Sequence, residues 1–161
     1  MEPPHARPGP TTGEPALIVV DHGSRRRESN DALLELVELI RGDQPGRIVE
    51  PAHMDLAEPS LATAFTRCVA RGAGRIVIAP FFLLPGRHWD DDIPALAAAA
   101  AEAHPGVAYL VAAPLGLHPA MRTILRDRET HCARVAEGTA AACEVCGDPS
   151  RCAWRRADPA S

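Results

Sequence analysis

Three side chains able to bind a metal fall at equal intervals in this 161-residue chain: His22, Asp55 and His88, each 33 positions after the one before. Each stands just past a short apolar run: Ala16 to Val20, Arg47 to Met54, and Arg75 to Leu84 followed by the turn Pro85-Gly86-Arg87. If those runs are parallel strands of one sheet, all three side chains emerge at its carboxyl edge, where open α/β sheets bind ligands. Two imidazoles and a carboxylate together suit a divalent transition metal. His53 shares a strand face with Asp55 and is a competing or additional ligand.

The elements that must position these residues alternate along the chain. Ala16 to Val20 is continuously apolar, as in a strand covered on both faces. Leu33, Leu34, Val37 and Ile40 then recur at helical spacing within Glu28 to Arg41, with Ser29 or Asn30 as candidate caps and Gly42 as a stop. A second strand over Arg47–Met54 leads to a helix opened by Glu58-Pro59-Ser60 and ended by Gly72. A third strand, Arg75–Phe82, precedes a helix whose start carries Asp90, Asp91 and Asp92, charges that suit a helix dipole. A fourth strand, Val107–Ala112, precedes a last helix beginning near His118-Pro119. This order predicts an α/β fold: a doubly wound, four-stranded, mainly parallel sheet with helices on both faces. The predicted organisation is a proline-rich disordered lead-in over 1–15, a domain over 16–128 and a cysteine-rich tail over 129–161.

Each motif also has a plainer reading. His22 could be a loop histidine bonded to a nearby carbonyl, Asp55 a turn former or helix cap, and Arg87 and His88 ordinary surface residues. Gly23 permits a tight turn after the first strand, and Ser24 can offer a hydroxyl to a ligand. Arg25, Arg26 and Arg27 could anchor an anionic ligand or form a solvated helix start. Phe81, Phe82 and Leu83 supply an apolar wall for a large flat ligand.

Several segments resemble the small CbiX/SirB family of class II tetrapyrrole chelatases. Asp21-His22-Gly23-Ser24-Arg25 with Asn30 is similar to that family's HGSR…N opening, and Asp55-Leu56-Ala57-Glu58-Pro59-Ser60 to its E-L-A-x-P-S segment. Residues 80–94, which contain Arg87-His88 and Asp92-Ile93-Pro94, resemble its P-x-F-L-x-x-G-x-H…D-I-P segment. Leu115-Gly116-x-His118-Pro119 resembles its final turn. The resemblance covers about residues 16 to 128. It implies a flavodoxin-like chelatase fold and insertion of Co²⁺ or Fe²⁺ into sirohydrochlorin, for cobalamin or sirohaem. It further implies a homodimer, with His22, Asp55 and His88 at the metal positions and His22 and His88 as the catalytic pair. Ser24, Arg25, Phe82 and Arg87 are then the candidates for contact with the tetrapyrrole. Asp55 departs from the usual Glu, and its carboxylate reaches one methylene less far.

Cys132, Cys143, Cys146 and Cys152 crowd the C-terminal region, whereas Cys68 lies inside a predicted helix and reads as a buried apolar residue. Four thiolates suit a tetrahedral Zn²⁺ or an Fe–S cluster. The resemblance favours the cluster, since some of these chelatases carry C-terminal Fe–S cysteines. Unligated, reduced thiols on a flexible tail are the plainer alternative.

The formal net charge of −4, with no basic stripe, gives no sign of nucleic-acid binding. No apolar stretch is long enough to span a bilayer. The first residues lack a signal-like apolar segment, so a cytoplasmic location is expected. Two other functions compete with the chelatase: a non-catalytic metallochaperone or redox sensor, and an enzyme acting on a phosphorylated small molecule through the Gly23 loop. The lack of a glycine-rich phosphate loop counts against the latter.

Overall fold

A computed structural model describes residues 14–155; nearly all of the predicted lead-in and the last residues of the predicted tail lie outside that range. The chain divides into two compact units between Gly116 and Leu117.

The first unit contains β1 (Ala16–Asp21), α1 (Arg27–Asp43), β2 (Val49–His53), α2 (Leu61–Ala70), β3 (Arg75–Pro80), a π-helical turn (His88–Asp92), α3 (Ile93–Glu102) and β4 (Ala108–Val111). The strands lie in the order β2-β1-β3-β4, and every neighbouring pair is parallel. This is the doubly wound, four-stranded α/β sheet that the sequence predicts.

Strand alternation assigns the helices to the two faces. Ile18 and Val20 of β1 join Leu61 and Phe65 of α2 and Ile93 and Ala97 of α3 in the larger apolar cluster. Val19 points the other way, to Leu33 and Val37 of α1 and Val49 of β2. Phe65 and Ile18 are wholly buried, each worth about 1.5–3 kcal/mol against an exposed side chain. Cys68 belongs to this core as expected, and burial pushes its thiol up to about 12.

Three local expectations need correction. Neither Ser29 nor Asn30 caps α1; the helix starts at Arg27, after Arg26, with no side-chain cap. Gly42 does not stop that helix, which continues to Asp43. Glu58 and Pro59 do not enter α2, because Ser60 is its cap and accepts the Thr63 N–H.

Glu50 of the edge strand β2 is buried and charged, and Arg71 meets it at 2.8 Å and Arg41 at 3.4 Å. Arg41 also donates to the Val49 carbonyl. These contacts pair the buried carboxylate and occupy part of an otherwise open strand edge.

In the second unit, α4 spans Ala120–Ala136 and a single 3₁₀ turn spans Pro149–Cys152. The helix continues past Arg128, so Cys132 is a helical residue. Among the described residues, no helix is long and apolar enough to cross a membrane.

Candidate metal-handling site at the sheet edge

The carboxyl ends of β1 and β3 bring His22 and His88 together. Their ring centroids are 5.0 Å apart and the rings stand at 72°. Both residues are exposed. His22 directs Nδ1 to the Gly23 carbonyl at 3.2 Å. His88 directs Nδ1 to the Asp92 carboxylate at 2.7 Å. With Nδ1–H donating in each ring, each Nε2 keeps a free lone pair. A carboxylate that orients a histidine in this way is the usual outer support of a metal-binding imidazole.

The loop after β3 is tied down at several points. The Phe81 N–H donates to the Val20 carbonyl at 2.7 Å, and the Leu115 N–H donates to Phe82 at 2.8 Å. The Trp89 indole N–H donates to the Ala112 carbonyl at 2.9 Å. Phe82 is half-buried and lies near-parallel to His88, with centroids 6.1 Å apart. An apolar wall therefore stands beside the two histidines. Phe81 and Leu83 are more exposed. The anchoring by Trp89 was not anticipated from sequence, since nothing in the local pattern links it to the end of β4.

Asp55 is placed differently. Its N–H donates to the His22 carbonyl at 3.1 Å, so its backbone adjoins the His22 loop. Its carboxylate accepts the Leu56 N–H at 2.7 Å. Among the described residues, no three His, Cys, Asp or Glu side chains stand together in an arrangement able to hold an ion. The two histidines are thus gathered and Asp55 is not gathered with them. His53 is no edge ligand in this conformation: its side chain is fully buried and its Nδ1 is 2.6 Å from Asp21.

Ser24 has a structural task. Its hydroxyl accepts the Arg26 N–H at 3.0 Å, while its own N–H and carbonyl are both bonded by the Asn30 amide. Asn30 therefore pins the loop after β1, a role its helix-cap chemistry did not reveal. Arg25 and Arg87 are exposed, whereas Arg27 pairs with Asp31 at 3.5 Å.

In the second unit the cysteines adjoin one another. Sγ of Cys146 and Sγ of Cys152 are 3.8 Å apart. Hydrogen bonding to Cys146, then burial, and further the nearby Cys132 push the Cys152 thiol up to about 11. The backbone N–H groups of Cys146 and Val145 hold the Cys143 thiol below its ordinary value. Turning N–H groups onto a sulfur favours thiolate, the form that ligates metal. Thiolates are metal and cluster donors by type, but among the described residues these thiols do not converge on one centre. A cavity of about 290 Å³ beside Cys143 is lined by Asp127, Arg128, His131 and Glu144.

The fold is that of an open parallel α/β protein, with two histidines paired at the carboxyl edge of its sheet. The chain belongs to the CbiX family, whose model matches residues 16–132. It is 52% identical over 136 residues to the chloroplastic sirohydrochlorin ferrochelatase of Arabidopsis thaliana, covering 84% of this chain and 60% of that protein. It is 33% identical over 114 residues to a sirohydrochlorin cobaltochelatase of Priestia megaterium, covering 70% of this chain and 37% of that one. The chain thus spans less than two thirds of either relative's length. Among solved structures it is similar to a putative cobalamin biosynthesis CbiX protein from Marinobacter aquaeolei VT8, at 30% identity and a TM-score of 0.63, over 73% of this chain and 95% of that one. It is also similar to the sirohydrochlorin chelatase SirB from Bacillus subtilis subspecies spizizenii in complex with cobalt, at 27% identity and a TM-score of 0.68, over 73% of this chain and 50% of that one.

Proposed function

We propose that this chain is a sirohydrochlorin chelatase that inserts Co²⁺ or Fe²⁺ into the tetrapyrrole, for cobalamin or sirohaem. The observation that carries the reading is the His22–His88 pair at the carboxyl edge, each ring with Nδ1 engaged and Nε2 free. The names of its relatives agree with it.

Insertion removes two pyrrole protons and strips water from the ion. In this reading His22 and His88 bind the incoming ion through Nε2. A single ion with metal–nitrogen bonds of about 2 Å can be shared by rings this close. Once the ion passes to the macrocycle, the freed imidazoles accept the pyrrole protons. Asp92 holds the His88 ring in place through Nδ1. Asp55 adds negative charge to the ion complex if its side chain swings from Leu56, and the open cleft of about 440 Å³ along residues 53–60 leaves room for that movement. Phe82 offers an apolar face to the macrocycle. Ser24, Arg25 and Arg87 meet its carboxylates, the two arginines through charge-assisted hydrogen bonds.

The working unit in this reading is a homodimer, in keeping with a chain that matches half of the SirB chain. Cys132, Cys143, Cys146 and Cys152 would hold an Fe–S cluster or Zn²⁺, which would cross-link α4 to the segment after it. Free thiols suit a reducing compartment such as the cytoplasm.

Anaerobic absorbance spectroscopy of sirohydrochlorin mixed with protein and Co²⁺ or Fe²⁺ tests the reading. Insertion faster than in a protein-free control is expected. Folded protein giving no acceleration with either ion would reject the enzyme and favour a metal-carrying or sensing protein.

A further inference from the structure

His53 is the common anchor of the two loops that carry His22 and Asp55. It pairs in register with Asp21, the residue before His22. Its Nδ1 lies 2.6 Å from Asp21 Oδ1, and that same oxygen accepts the Gly23 N–H at 2.9 Å. His22 is therefore flanked by two residues fastened to one carboxylate, and that carboxylate is fastened to His53.

The packing tightens this arrangement. Gly23 has φ +81°, and a Cβ there would lie 1.9 Å from the Asp55 carbonyl oxygen and 3.2 Å from the His53 Cβ. On the other side, the His53 N–H donates to the Pro59 carbonyl at 2.8 Å, closing the loop that carries Asp55. The ladder continues beyond the strands through Met54 N–H to Asp21 at 2.8 Å and Asp55 N–H to His22 at 3.1 Å.

Packing alone does not account for a histidine here. The side chain is fully buried, yet Nε2 has no partner. A leucine would fill similar space without burying that unpaired nitrogen, which carries a desolvation cost. What leucine cannot supply is the Nδ1–H bond to Asp21. Nε2 stays unpaired while Nδ1 faces the Asp21 carboxylate.

We propose that His53, acting through Asp21, is a positioning residue for His22. It holds the loop after β1 so that the His22 ring faces His88, and it thereby sets metal capture without touching the ion. This rests on the reading of His22 as a metal-binding residue.

The experiment compares wild-type full-length protein with His53→Asn, His53→Gln, His53→Leu and Asp21→Ala. The asparagine amide falls where Nδ1 sits, whereas the glutamine amide falls nearer Nε2. Insertion kinetics are read separately against Co²⁺ and against sirohydrochlorin, with amide hydrogen exchange at Gly23 and Asp55 beside them. His53→Leu, His53→Gln and Asp21→Ala should raise the Co²⁺ KM by roughly 10- to 100-fold, the usual effect of losing an outer support. The sirohydrochlorin KM should stay near wild type. His53→Asn should recover most of the loss, and protection of the Gly23 amide should follow the same order.

His53→Asn no better than His53→Leu, or His53→Leu with an unchanged Co²⁺ KM, would overturn the proposal. If wild type itself shows no insertion, the exchange data decide: the asparagine rescue of Gly23 protection keeps the loop-positioning role while the chelatase reading falls, and its absence removes the role. Should His53→Leu fail to fold, Asp21→Ala against His53→Asn gives the same decision.

Discussion

The sheet edge and the cysteine segment place side chains capable of binding a metal by opposite means. At the edge, a wholly buried core fixes the strands and leaves His22 and His88 exposed on short, tethered loops. Beyond Gly116, Val135 and Cys143 are the buried apolar residues among those described, and Ile124, Leu125 and Val145 are exposed. In the first region ordinary hydrophobic burial holds the two candidate ligands in place. The second has little core, so in the proposed reading a metal or cluster on its thiols would supply its order. A preorganised edge suits an ion that must arrive and leave; a segment with little core suits an ion that stays.

The largest effect that would break this contrast concerns catalysis. His22→Ala or His88→Ala should lower insertion by about 10²-fold or more, while Cys143→Ser should leave it near wild type. Equal losses from all three would erase the distinction. Next, Gly23→Ala places a Cβ against the Asp55 carbonyl at a positive-φ site. We expect it to destabilise the sheet unit by at least about 2 kcal/mol in chemical denaturation, and to reduce insertion in the molecules that remain folded. Ser60→Ala removes the α2 cap away from the two histidines and should cost about 1 kcal/mol, with the insertion rate unchanged.

Chelator treatment should raise hydrogen exchange over residues 137–155 and leave β1 and β3 protected. A uniform rise would mean that the two regions do not differ in their source of order. The smallest effect is chemical. A raised thiol pKa means less thiolate at a given pH and slower alkylation. Cys68, pushed up to about 12 by burial, should stay unmodified in folded protein at neutral pH. In chelator-stripped protein Cys143, held low by backbone N–H groups, should be alkylated before Cys152, pushed up to about 11. Mass spectrometry after timed labelling reads the order.

The parallel sheet was legible because Ala16 to Val20 and Arg75 to Phe82 are too uniformly apolar for a one-faced strand, and because helical periodicity separates them. The pairing of His22 with His88 was legible only in part: β1 and β3 are neighbours in the sheet, so the loops that leave their ends adjoin, but His88 follows β3 by eight residues and its place depends on how that loop is tethered. Asp55 follows β2 by a similar rule, but where its carboxylate turns depends on the local N–H of Leu56, which spacing does not encode. Asn30 looked like a cap because its amide chemistry suits one; it uses that chemistry on Ser24 instead. His53 looked like a ligand because alternation fixes a face and says nothing of depth. The extension of α4 through Cys132 was hidden by a composition rich in Arg, Glu and Ala, which changes little between exposed helix and loop.

Cobalt binding to the full-length chain with Cys132, Cys143, Cys146 and Cys152 all changed to serine tests the central claim most directly, because any remaining visible-band signal must come from elsewhere in the chain. The account predicts saturable binding at one site per chain, abolished by His22→Ala and by His88→Ala alike. Binding that survives both substitutions in folded protein would contradict it.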